Sequence, residues 1–166
     1  ISVSAFLLIR SSDLSLYVLY AIIIPKGNDS AKDKEFQLTT KNILEHVRIL
    51  FDQGEYALVQ LLATNYLERM PSHLEVRQYL AEAYYKDKKY NNAIKQCLII
   101  LKKKPNNIDA KKVLGDCYIK KGIFGKAIKQ YEEIFDYRSN DPEVVRKLAE
   151  LYKDTEQFYS SISVYN

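Results

Sequence analysis

The chain has 166 residues, of which 47% are hydrophobic and 28% charged, and its formal net charge is +4. This mixed composition, with only five glycines and four prolines, excludes wholesale disorder, and the length suits about one domain. Cys97 and Cys117 make no zinc-binding pattern, and both fall on apolar helix faces. We predict that they are buried free thiols.

The first 39 residues form an apolar extension with a linker. Residues 1–9 and 14–24 are apolar, residues 10–13 are polar, and residues 25–30 have the composition of a loop. The longer apolar run is shorter than the roughly 20 residues that a membrane helix needs. A helix continued to residue 1 would bury Arg10 and Asp13, which is costly in lipid.

Three interpretations of this extension remain open. It is a membrane or export segment, a segment that packs on the rest of the chain as a hairpin or cap, or a segment that is ordered only against a partner. The first predicts a membrane-associated or exported protein through residues 1–24, and the others a cytoplasmic one. An apolar stretch of this size needs to be covered by something.

From residue 40 onward, a spacing of 34 residues aligns similar residue types. We number the places 1 to 34 within units that begin at residues 40, 74, 108 and 142. Place 8 is small in three units, place 11 is mostly Tyr, place 17 is aromatic and place 20 is small or β-branched. The residues at these places are Val47, Ala81, Gly115, Ala149; Leu50, Tyr84, Tyr118, Tyr152; Tyr56, Tyr90, Phe124, Phe158; and Val59, Ala93, Ala127, Ser161.

Each unit contains two stretches of helical periodicity separated by a short polar break. Gly54 and Gly122 lie in these breaks, where a residue with positive φ can end the first helix. Pro71 and Pro105 mark boundaries between units, because proline cannot continue a helix interior. A single helix pair leaves apolar surface exposed, so the units are expected to stack as a solenoid.

These columns resemble the tetratricopeptide repeat, a helix–turn–helix unit of this period. The resemblance covers residues 40–166, with copies at 40–73, 74–107 and 108–141 and a partial copy at 142–166. It implies an all-α fold, a right-handed α–α superhelix. Many such repeats carry Trp at place 4, where this chain has Ile43, Arg77, Lys111 and Val145. Because the fourth copy stops early, we expect the natural protein to continue past Asn166.

The residues assemble no catalyst, and we predict no enzyme activity, no cofactor and no metal. The sequence has no phosphate-binding glycine loop, nucleophile elbow or spaced set of histidines and carboxylates. His46 falls at an apolar place, which predicts a core or half-core residue, and His73 at a unit boundary, where it caps a helix or faces water. We interpret the adjacent Glu132 and Glu133 as solubilising charges that point apart.

The resemblance implies a concave groove lined by the first helix of each unit, in which partners meet places 2, 5, 9, 12 and 13. Leu44, Phe51, Tyr85 and Ile119 would be apolar anchors there. The predicted partner-binding residues are Leu44, Arg48, Phe51, Gln78, Glu82, Tyr85, Lys112, Asp116, Ile119, Arg146 and Glu150.

The charged members of that set have a second interpretation. Lys112 lies three places after Asp109 and four before Asp116, and Arg146 lies four before Glu150. Such spacings favour ion pairs within one helix, each worth only about 0.2–0.5 kcal/mol.

Chaperone-binding members of the family hold a terminal carboxylate with a clamp of basic and amide side chains. At the corresponding places this chain has Leu44, Arg48, Tyr79, Asp109 and Val113. Only Arg48 is basic, so the sequence does not favour that ligand.

The sequence therefore predicts a non-catalytic adaptor or scaffold that binds another protein through the groove, the extension or both. The alternatives are a membrane-tethered component that self-assembles and a regulatory domain of a larger protein. We expect no nucleic-acid binding, because the densest lysine run, residues 102–104, lacks interleaved aromatics and lies at a helix end. The partner and the oligomeric state stay open.

Overall fold

The computed structural model describes residues 43–138 and 141–155. They form seven α-helices: α1 Ile43–Asp52, α2 Tyr56–Arg69, α3 Leu74–Lys86, α4 Tyr90–Lys103, α5 Ile108–Lys120, α6 Phe124–Phe135 and α7 Pro142–Asp154. The predicted all-α fold is confirmed. None of these seven helices combines the length and the apolar character that a membrane span requires. The predicted apolar extension and the end of the fourth unit lie outside the described residues.

The helices recur at the spacing seen in the sequence. Helices α3, α5 and α7 begin 34 residues apart, and so do α2, α4 and α6. The chain divides into two compact units between Tyr79 and Leu80, within α3. The assignment of domains and unit boundaries made from sequence stays a prediction, as does the handedness of the superhelix.

Side chains at the starts of three helices accept hydrogen bonds from backbone N–H groups that lack partners within the helix. The Asn107 Oδ1 atom accepts from the N–H of Ala110 at 2.8 Å, and His73 Nδ1 accepts from the N–H of Val76 at 3.3 Å. Asp141 caps α7 in the same way. His73 therefore caps α3, which is one of the two roles predicted for it.

The turns between paired helices share one hydrogen-bond pattern. The N–H of Gly122 donates to the carbonyl of Ile119, and the N–H of Ile123 donates to the carbonyl of Tyr118, both at 2.9 Å. This pair of hydrogen bonds is the Schellman motif, which requires a residue in the left-handed conformation just after the helix. Gly122 supplies it with a φ of 70°.

The same turn is closed by Gly54 in the first unit and by Lys88 after α3. Their φ angles are 78° and 59°, so the predicted positive φ is confirmed for both glycines. Lys88 adopts the left-handed conformation without being glycine, which is unfavourable for a residue with a Cβ atom.

The first compact unit is built around the contact of α1 with α2. Val47 and Val59 are fully buried between the helices. The Phe51 ring makes edge contacts with Tyr56 and Tyr79, with ring centroids 5.4 Å and 5.6 Å apart. Aromatic edge contacts of this kind fix the end of α1 beside the start of α2.

In the second compact unit, α4 packs on α5, α5 on α6, and α6 on α7. Ala81, Cys97 and Leu114 form a buried cluster that joins α3, α4 and α5. Cys97 and Cys117 are both buried and free, which confirms the sequence prediction. Burial raises the pKa of both thiols, that of Cys117 to about 12, so neither is a reactive thiolate near neutral pH.

The Tyr131 ring of α6 lies against helix α5 at Gly115. A Cβ atom at this position would lie 2.7 Å from Cε2 of Tyr131 in α6. Tyr131 is only 2% exposed, so its ring has little room to move. The small residue at place 8 is therefore required here by the aromatic ring opposite.

We expect Gly115→Ala to lower the free energy of unfolding by about 1 kcal/mol or more. Alanine adds up to about 1 kcal/mol of helix propensity, but overpacking a rigid core site costs about 1–3 kcal/mol. Gly125→Ala in α6 is the matched control, because no atom lies within 4 Å of its added Cβ. Urea unfolding followed by circular dichroism measures both variants. Equal stability of the two would show that the Tyr131 contact imposes no constraint.

Lys88→Gly is expected to raise the free energy of unfolding by about 0.5–1 kcal/mol, because glycine relieves the left-handed conformation. Gly122→Ala should have the opposite sign and a similar size. Its added Cβ meets nothing within 4 Å, so only the backbone conformation is tested. Thermal and urea unfolding measure both changes, and a destabilised Lys88→Gly variant would contradict this account of the turn.

Candidate protein-binding surface

The predicted partner-binding residues all lie on the first helices of the pairs. Four belong to the first compact unit and seven to the second. They are Leu44, Arg48 and Phe51 on α1; Gln78, Glu82 and Tyr85 on α3; Lys112, Asp116 and Ile119 on α5; and Arg146 and Glu150 on α7.

In the first compact unit, these side chains differ in their exposure to solvent. Leu44 is 38% exposed, and Arg48 is exposed as well. Phe51 and Gln78 are half-buried. Because the Phe51 ring already contacts Tyr56 and Tyr79, it supports the fold as well as any surface function.

In the second unit, Asp116 is the centre of a polar network. Its Oδ1 atom accepts a hydrogen bond from the Tyr131 hydroxyl at 2.9 Å and another from Lys147 Nζ at 3.0 Å. Burial, followed by the charge of Asp116, raises the pKa of Tyr131, so the hydroxyl remains a neutral donor. Asp116 therefore connects α5 with α6 and α7, and its carboxylate is held in place from two sides.

The Lys112 side chain pairs with acids at the start of α7 instead of acids within its own helix, α5. Its Nζ atom lies 2.8 Å from Glu143 Oε2 and 3.3 Å from Asp141 Oδ2. The hydrogen bond to Glu143 raises the pKa of Lys112. The interpretation of Lys112 as a partner for acids of α5 is thus wrong, because two carboxylates at the start of α7 lie within reach.

Arg146 and Glu150 do form the ion pair expected within one helix. Arg146 Nη1 lies 2.9 Å from Glu150 Oε1, and both side chains are more than half exposed. Exposed pairs of this kind add little stability. Both groups therefore remain accessible to a partner at little energetic cost.

The two apolar members of the second unit are half-buried. The Tyr85 ring lies 5.9 Å from the Tyr90 ring. Burial raises the pKa of Tyr85, and the nearby charge of Asp116 adds to the shift. Ile119 packs partly against the core formed by α6 and α7. Both apolar side chains therefore keep part of their surface in solvent.

A second set of polar contacts was not predicted from the sequence. The Nζ atom of Lys111, a residue only 5% exposed, lies 2.6 Å from Glu133 Oε2. The Tyr152 hydroxyl donates to Glu132 Oε1 at 2.6 Å. The interpretation of Glu132 and Glu133 as solubilising charges is therefore wrong. The signal was Lys111 itself, since a charge at an apolar place needs a partner of opposite charge.

The polar groups of these surfaces are largely paired with one another. The described residues contain no group of three or more His, Cys, Asp or Glu side chains that could hold a metal ion. Asp116 and Lys112 are both engaged in ion pairs. What remains is a surface of fixed polar groups beside partly exposed apolar ones.

The comparison with protein families finds one match. Residues 52–134, half of the chain, match the family described as anaphase-promoting complex, cyclosome, subunit 3. It is a tetratricopeptide-like repeat family and not a catalytic one. No curated protein matches the sequence.

Three solved structures with the same fold are distant from this chain in sequence. The first tetratricopeptide domain of human RPAP3 has a TM-score of 0.65 at 20% identity, over 72% of this chain and 94% of that one. The first such domain of Spaghetti, bound to the HSP90 peptide SRMEEVD, has a TM-score of 0.66 at 20% identity, over 69% and 90%. MamA of Desulfovibrio magneticus RS-1 reaches 0.71 at 15% identity, over 81% and 76%.

We expect Asp116→Ala to lower the free energy of unfolding by about 1–3 kcal/mol, because it leaves the buried Tyr131 hydroxyl without its acceptor. Glu150→Ala is the matched control: it also removes a carboxylate from a first helix, but from an exposed pair worth about 0.5 kcal/mol or less. Urea unfolding measures both variants. If the two lose the same stability, the Asp116 network does not hold the three helices together.

Proposed function

This chain belongs to the tetratricopeptide-like family described as anaphase-promoting complex, cyclosome, subunit 3, and we propose that it is a non-catalytic adaptor that binds a peptide segment of another protein. The proposed site is the first-helix surface of the second compact unit, formed by Glu82, Tyr85, Lys112, Asp116, Ile119, Arg146 and Glu150. Tetratricopeptide domains are protein–protein interaction modules. The observation that carries the proposal is the Asp116 carboxylate, fixed by Tyr131 and Lys147 on the helix that also presents the partly exposed Ile119.

A surface that is rigid before binding loses little conformational freedom when a partner arrives. Asp116 and Lys112 are each held by two partners, so their positions do not need to be ordered by the ligand. The partly exposed Tyr85 and Ile119 supply apolar surface, and aromatic side chains are frequent anchors in interfaces. These features together support binding of an extended or helical segment.

The ligand we propose is not a chaperone tail. The Spaghetti domain binds the peptide SRMEEVD, which is rich in carboxylates. In this chain, α5 presents Asp109 and Val113 at places of the carboxylate clamp, and Asp109 is exposed. A negative charge there repels an acidic peptide, and Val113 offers no hydrogen bond to a carboxylate.

Within the described residues, the proposal rests on the repeats alone. The interpretations that give residues 1–24 a membrane or docking role concern a part of the chain outside the structure. Those interpretations stay predictions.

A peptide selection tests the proposal. A library of displayed random peptides is selected on the full chain, and the affinities of the recovered peptides are measured by titration calorimetry. We expect Arg146→Glu to weaken binding by about tenfold, about 1.4 kcal/mol, because it reverses an exposed charge beside the fixed groups. The peptide SRMEEVD serves as the negative comparison.

Lys129→Glu is the matched control, since Lys129 is also exposed but lies on the second helix α6. Peptides that are affected equally by both variants, or by Lys129→Glu alone, would place binding away from the first helices. Tight binding of SRMEEVD would overturn the exclusion of chaperone tails. Circular dichroism of each variant shows whether it is folded.

A further inference from the structure

The second helix α4 presents an apolar pair on its solvent side. Leu98 is 49% exposed and Ile99 is 41% exposed. Lys95, Leu98, Ile99 and Lys102 follow one another at i, i+3, i+4 and i+7, so they form one stripe on the helix surface. All four are exposed. We call these four residues the α4 stripe.

The apolar pair is absent from the same places of the neighbouring units. In the repeat unit that begins at residue 40, places 25 and 26 are occupied by Thr64 and Asn65. In the third unit they are Glu132 and Glu133, which bind Tyr152 and Lys111. The repeat architecture therefore does not require aliphatic side chains at Leu98 and Ile99. The described part of the chain leaves both of them exposed to solvent.

The charge around this pair has one sign. Helix α4 contains no acidic residue, and Lys95, Lys102 and Lys103 are all exposed. No carboxylate of residues 43–138 and 141–155 lies within ion-pair distance of these three lysines. In contrast to Lys111 and Lys112 of α5, these ammonium groups remain unpaired with carboxylates of the described part of the chain.

The positive surface continues beyond the start of the helix. An open depression of about 290 Å³ there is lined by Lys88, Lys89, Tyr90, Asn91, Asn92 and Lys121. Lys121 Nζ donates a hydrogen bond to Asn91 Oδ1. Asn91 lies one turn before Lys95, so the depression adjoins the α4 stripe. Among the lysines that line the depression, Lys89 has the carboxylate of Asp87 2.7 Å away.

We propose that the α4 stripe docks a protein segment in which aliphatic side chains are flanked by Asp or Glu. The aliphatic side chains of the segment would cover Leu98 and Ile99, and its carboxylates would pair with Lys95 and Lys102 at the two ends. This surface is separate from the first-helix surface proposed above. It would allow the chain to bridge two proteins.

The composition of the stripe favours protein over the other anionic partners. A single-stranded nucleic acid is bound by stacking on aromatic side chains, whereas the α4 stripe has none. A membrane-bound helix buries an apolar face along its length, but the other face of α4 is committed to the core through Cys97 and Ile100. Two aliphatic side chains between lysines match an amphipathic acidic helix instead.

The expected interaction is weak and salt-sensitive. Two aliphatic side chains and the stems of the lysines form a small contact, in the range of transient interfaces below about 1,200 Å² in total. Exposed charges at the rim act mainly on the association rate and are screened by salt. Binding should therefore weaken as the ionic strength is raised.

A selection of displayed helical peptides on the full chain tests this proposal. The library is selected at low salt and counter-selected on Leu98→Gln/Ile99→Gln, and affinities are measured by fluorescence anisotropy. Recovered peptides should be enriched in Asp and Glu around Leu or Ile. Lys95→Glu should weaken them by about tenfold, whereas Lys129→Glu, at the same place of the next unit, should not change them.

Other outcomes overturn the proposal. Recovered peptides that respond to Arg146→Glu and not to Lys95→Glu bind the first-helix surface, which would support the proposed function and refute this one. No recovered peptide would mean that the stripe does not dock such segments. Binding of vesicles of equal parts phosphatidylserine and phosphatidylcholine, or of a single-stranded oligonucleotide, that Lys95→Glu abolishes in the absence of peptide binding would assign the surface to those ligands.

Discussion

The contact between Gly115 and the Tyr131 ring determines the organisation of the second compact unit. Because glycine has no Cβ, the ring can lie directly on the α5 backbone, and this position brings the Tyr131 hydroxyl to Asp116. Asp116 then also accepts from Lys147 of α7. One steric condition on α5 thus sets the spacing of two helices and the anchor point of a third, and the first-helix surface inherits its geometry from it.

The parts of the fold that could be predicted are those that depend on one residue type at one place. Glycine at the turn, as in Gly54 and Gly122, predicts positive φ because no other residue adopts it as readily. Lys88 could not be predicted in the same way, since a lysine in a polar loop is compatible with many conformations. The helix spacing was recoverable because it repeats, so that several weak signals coincide at one register.

The ion pairs were less predictable, because the choice of partner depends on how neighbouring helices are placed. Lys112 has acids at suitable distances within α5, yet it binds Glu143, whose position is set by the start of α7. Acidic groups in the first turn of a helix are favoured by the helix dipole, so α7 supplies an acidic target whatever the sequence of α5. Spacing along one helix could not reveal this competition. Lys111 differs, because a buried ammonium group requires a carboxylate opposite it.

The two surfaces of the second unit differ in how their charges are balanced. On the first-helix surface, Lys112 and Arg146 are paired with acids of the same chain, so the proposed recognition there would depend mainly on shape and on short-range contacts with Tyr85 and Ile119. On the α4 stripe, Lys95 and Lys102 leave a net positive field that extends about 10 Å at moderate ionic strength. Such a field attracts an acidic segment before contact is made. The asymmetry is the physical reason why the two proposed partners would differ in chemistry: the first-helix surface would select its partner by shape, and the α4 stripe by charge.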